Sequence, residues 1–133
     1  MNRSRGWVLV LAFGFAVGLA SSAEAADPSG RWSGNWCSFT NGHHGKIRAS
    51  VRQIDDCSYQ VKFCGTFLGV VPFAYSVPMT VTGQGADGRT ILTGQSHLPL
   101  FGEFCCRAEV TDCDFIASYT SPKDQGQFTM QRR

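Results

Sequence analysis

From Gly30 onward, apolar residues recur at every second position, a period that fits strands and not helices. Val71, Phe73, Tyr75, Val77, Met79 and Val81 alternate with small or polar neighbours. Ile47, Ala49 and Val51 alternate with Lys46, Arg48, Ser50 and Arg52, and Tyr59, Val61 and Phe63 alternate with Gln60 and Lys62. Successive side chains of a strand point to opposite faces, so each run puts one face in a core and the other in water. The pattern predicts eight strands over residues 31–39, 46–54, 58–67, 71–82, 89–98, 103–110, 114–120 and 125–132. Turn chemistry separates them at Asn41-Gly42, Asp55-Asp56, Gly69 and Asp87-Gly88.

Eight short strands joined by short connections make an antiparallel up-and-down sheet, either a closed barrel or a two-sheet sandwich. A barrel leaves no exposed edge and is the expected form. Pro78 falls inside the fourth run and has no N–H for a ladder, so that strand is expected to be bulged there or to lie at an edge.

Everything before residue 26 has a different character. Arg3 and Arg5 precede an apolar run of 14 residues, 7–20, which is short of the roughly 20 needed to cross a bilayer. Ala23 and Ala25 then stand in the A-x-A arrangement of a signal-peptidase site. Residues 1–25 read as a secretory signal peptide, and residues 26–133 as a single β domain, secreted or periplasmic, with no membrane span once the signal is removed. Without Arg3, Arg5 and Glu24, the 12 basic and 10 acidic residues fall to 10 and 9. In linear order these charges are scattered, which argues against nucleic acid as a partner and against electrostatic binding to membranes.

Cys37, Cys57, Cys64, Cys105, Cys106 and Cys113 are an even number in a small exported domain, the usual mark of a disulfide framework. Fifteen pairings are possible. Neighbours Cys105 and Cys106 are expected to face opposite ways and to have different partners.

Two resemblances follow from particular residues. Gly30-Arg31-Trp32 on the first strand and Arg132 on the last resemble the signature of calycin-type barrels, the group of lipocalins and avidins. That likeness implies an arginine lying across the tryptophan at a closed barrel end. The patterns Gly42-His43-His44-Gly45, Phe63-x-Gly65-x-Phe67, Pro72-Phe73-x-Tyr75 and Phe101-Gly102-x-Phe104 are similar to those of small exported bacterial proteins of the planctomycete type, a group of unassigned function. This second likeness implies one exported β domain and no reaction.

An up-and-down topology brings alternate connections to one end. His43, His44, His97 and Phe101 would then gather at one mouth, with Cys37, Cys64, Cys105 and Cys106 nearby. These residues are the candidate ligand-binding site, and the three histidines are candidate copper or zinc ligands. No nucleophile–base pair or facing carboxylate pair is legible, so no catalytic residue and no cofactor is expected. Eight-stranded barrels either fill with their own side chains or hold one small ligand. The expectation is therefore a binding module for a small apolar ligand, or else a structural or interaction protein of the periplasm or cell envelope with a filled core. The sequence is silent on oligomeric state.

Overall fold

The computed structural model describes residues 24–99 and 102–133. The predicted signal segment (residues 1–23 of it) and Phe101 lie outside the described residues. Eight strands follow one another: β1 (Gly30–Ser38), β2 (His44–Asp55), β3 (Ser58–Phe67), β4 (Val71–Gln84), β5 (Thr90–Leu98), β6 (Gly102–Val110), β7 (Asp114–Thr120) and β8 (Gln125–Arg132). Every neighbouring pair is antiparallel, and β1 closes on β8 through Trp32↔Arg132 to Ser38↔Gly126. The sheet is a closed up-and-down barrel in strand order, not a sandwich.

The inward faces are those the alternation marks. Trp32, Phe63, Val61, Val77, Met79, Leu92, Phe115 and Met130 are fully buried. Arg132 lies across Trp32, its guanidinium carbon 4.2 Å from the ring centroid, as the G-x-W likeness implies. The Trp32 indole N–H donates to Pro28 O at 2.9 Å, and Arg132 donates to the carbonyls of Asp27, Ser29 and Asp112 at 2.7, 2.7 and 2.9 Å. This end is sealed, and the segment just before β1 is packed into it. Ala26 N–H donates to Gly88 O, and Ala26 O accepts from the Thr90 hydroxyl.

The wall is incomplete between β4 and β5. The β4–β5 ladder runs from Gln84↔Thr90 up to Met79↔Gly94, with a bulge between Val81 and Gly83, and forms no rung above Met79. Val81 N–H donates to Cys57 O, so odd-numbered residues of β4 turn their backbone groups toward β3 and even-numbered ones toward β5. Pro72 and Pro78 are even-numbered. The ladder stops where an N–H is missing, and Pro78 marks the edge expected of it.

The cysteines correct an expectation. None lies at bonding distance from another, and all six are free thiols. Cys37 and Cys64 face outward on β1 and β3 with β2 between them, opposite His44 and Arg48, so they are separated by two strand spacings and by four residues along the strands, beyond the reach of a disulfide. Cys105 faces outward on β6, away from that side of the barrel, while Cys106 points inward and is buried. Burial pushes the Cys106 thiol up to about 12.

Candidate functional site: a basic groove at the open end

Ser38 ends β1 and organises the β1–β2 connection. Its hydroxyl accepts from Thr40 N–H and Asn41 N–H at 3.1 and 3.3 Å and donates to Asp124 Oδ1 at 2.5 Å. The other Asp124 oxygen accepts from the Tyr119 hydroxyl at 3.1 Å. One carboxylate therefore ties the β1–β2 connection to the β7–β8 turn. Burial first, and the Asp124 charge second, raise the Tyr119 phenol above its ordinary value. Ser38 and Asp124 are 86 residues apart, and only the pairing of β1 with β8 brings them together.

Beyond Ser38 the chain turns at Gly42, and the His43 ring packs edge-on against Phe67, 4.9 Å between centroids. The β2–β3 ladder has its last rung at Ile47↔Gly65. Above it, the Trp36 indole reaches between the strands and donates to Thr66 O at 3.1 Å. Gly45 is required beside this bond, since a Cβ there would collide with both the indole and the Thr66 carbonyl. The parted strand ends leave a groove of ≈ 840 Å³ on the outer wall, lined by His44, Lys46, Arg48, Cys64, Thr66 and Leu68 among others.

The groove's floor belongs to a larger charged face. On β2, Lys46, Arg48, Ser50 and Arg52 all point outward, about 7 Å apart. Ser50 lies opposite Arg31 on β1 and Lys62 on β3. Four cations (Arg31, Arg48, Arg52 and Lys62) thus surround one serine, with Lys46 next above them. None of the five forms an ion pair with a described carboxylate; the basic groups that do are Arg89, Arg107 and His97. Arg89 and Arg107 share Glu109, whose carboxyl is held below its usual value by hydrogen bonds from Arg107 and then Arg89. The clustering on β1–β3 was invisible in linear order because the register of three strands creates it.

The predicted site residues divide. His43 and His44 stand at the groove, His43 half-buried and His44 exposed. The His43 Nδ1 atom is buried without a hydrogen-bond partner. His97 does not join them. It points outward on β5, across the barrel, 3.4 Å from Glu103. The three histidines therefore make no common centre, and no group of three metal-binding side chains occurs among the described residues. Comparison with family models, curated proteins and solved structures finds no match to this chain.

Proposed function

We propose that this protein is an exported interaction protein of the periplasm or cell envelope that binds through the outside of a filled barrel. The observation that carries this reading is a closed circuit of five aromatic rings across the lumen. Tyr75 meets Phe104 at 5.2 Å, Phe104 meets Tyr119 at 5.7 Å, and Tyr119 meets Phe128 at 4.9 Å. Phe128 then meets Phe63 at 5.1 Å, and Phe63 returns to Tyr75 at 5.3 Å. These rings occupy the space in which a small ligand would lie. Such contacts also favour one another beyond simple burial, so the plug is costly to displace.

Two further observations support the reading. The groove lies outside the wall, and Phe39, Leu68, Val70 and Val71 expose apolar side chains at the same end. Packing that begins at Ala26, directly after the predicted cut, accords with a mature chain starting there. No catalytic role belongs to this reading.

Native mass spectrometry of protein purified from the exported fraction tests it. A bare polypeptide mass is the expected result. A stoichiometric apolar adduct that leaves on denaturation would place the binding site inside the barrel and overturn the reading.

A further inference from the structure

At the groove end, two neighbouring connections expose apolar side chains. Phe39 in the β1–β2 connection is 68% exposed, and Leu68, Val70 and Val71 around the β3–β4 connection are 62, 79 and 50% exposed. The His43–Phe67 contact holds the two connections side by side. Leu68 also adopts a positive φ of 54°, a backbone conformation that costs a non-glycine residue about 1 kcal/mol or more. A leucine that is both strained and exposed contributes little to folding.

Charge is arranged to match. Asp27, Asp55, Asp56, Asp87, Asp112 and Asp114 all lie at or near the opposite, sealed end. At the groove end, the described carboxylates are Glu103, engaged with His97 and Gln95, and Asp124, engaged with Ser38 and Tyr119. Lys46, Arg48 and Lys123 stand there without an ion pair to a described carboxylate. Arg31, Arg52, Arg89, Arg132 and Arg133 offset most of the acids at the sealed end, whereas the groove end combines three cations, two engaged carboxylates and the four apolar tips.

We propose that the groove end is a docking surface for an anionic lipid bilayer, with the four apolar tips entering the interface and Lys46 and Arg48 holding headgroups. This proposal rests on the filled-barrel reading above and names the partner of its outer surface. Apolar tips gain free energy on entering the acyl boundary, and each Lys or Arg near an anionic surface adds a comparable amount. A soluble polyanion would use the cations and leave Phe39, Leu68 and Val70 in water. Single-stranded nucleic acid would further require outward aromatic platforms, and the outward residues of β1–β3 include no Phe, Tyr or Trp.

The test is co-sedimentation of the purified exported protein with phosphatidylcholine vesicles, with and without a fraction of phosphatidylglycerol. Two double variants accompany it. Leu68→Asn with Val70→Ser removes apolar tips while suiting the positive φ, and Lys46→Gln with Arg48→Gln removes two charges. All four positions are exposed, so each variant keeps its urea midpoint. Binding to the anionic vesicles alone is expected, weakened about 25-fold in the charge variant, at about fivefold per cation, and about tenfold in the tip variant. Equal binding to both vesicle types, or binding that neither variant changes, overturns the proposal. Binding to soluble heparin with none to vesicles also overturns it, in favour of a soluble polyanion. Each of these failures leaves the filled-barrel reading standing, since that reading fails only on an interior adduct.

Discussion

Single residues decide how the barrel ends are sealed. Arg132 is solvent-exposed by area, yet it stacks on Trp32 and donates to three carbonyls. Arg132→Ala removes the cation–π contact and leaves those carbonyls to water, and is expected to cost about 2 kcal/mol, read as a lower urea midpoint. Lysine keeps the charge but not the planar fork, so Arg132→Lys is expected to recover less than half of that loss. The tyrosines give the protein an alkaline limit. Burial raises Tyr75, Tyr119 and Tyr59 above the ordinary value of 10.0. Folded and unfolded chains both hold these protons below that value. Above it the unfolded chain ionises first, so stability is present at neutral pH and is lost as pH rises past 10.0. Unfolding titrations at rising pH are expected to show this decline, with Tyr75→Phe reducing its slope. A parent chain as stable well above pH 10.0 as at neutrality would contradict the burial of these phenols.

Among the elements, β4 is unusual, because its two halves have different neighbours. Both ladders overlap only at Met79 and Thr80; from Val71 to Pro78 only β3 holds the strand, and Gly83 and Gln84 pair with β5 alone. Prolines 72 and 78 remove two of the N–H groups that would face β5 there, blunting an edge that invites pairing with another chain. Hydrogen exchange reads this directly. The amides of Ala74 and Ser76 face the open seam and are expected to exchange at least about 100-fold faster than those of Phe73 and Tyr75, which face β3. Equal protection along the strand would mean that the seam is closed.

All eight strands were legible in the sequence to within two residues at each end, because half-buried strands write their burial as strict alternation. Pro78 was legible for the same reason that it acts, its missing N–H. The disulfide expectation came from composition and compartment, and it failed on geometry. Outward cysteines on β1, β3 and β6 are held apart by the strands between them. His97 was misplaced by reasoning from strand ends alone. Sequence order put it at the right end, but the pleat turns it to the outer wall. The cationic face was missed because Arg31, Arg48 and Lys62 become neighbours only once the rungs Arg31↔Ser50 and Ser50↔Lys62 are known.

At the scale of the whole molecule, a plugged interior and a cationic outer face point the same way. The aromatic circuit closes the lumen, and the outer wall carries five unpaired cations beside an apolar-tipped end. Titrating a soluble short-chain phosphatidylglycerol into isotope-labelled protein tests both halves in one experiment. The account predicts shifts in the amides of His44, Lys46, Arg48, Leu68 and Val70, with the interior methyls of Val61, Val77, Leu92 and Met130 unmoved. Shifts concentrated in those interior methyls would contradict it, because the lipid would then be inside the barrel.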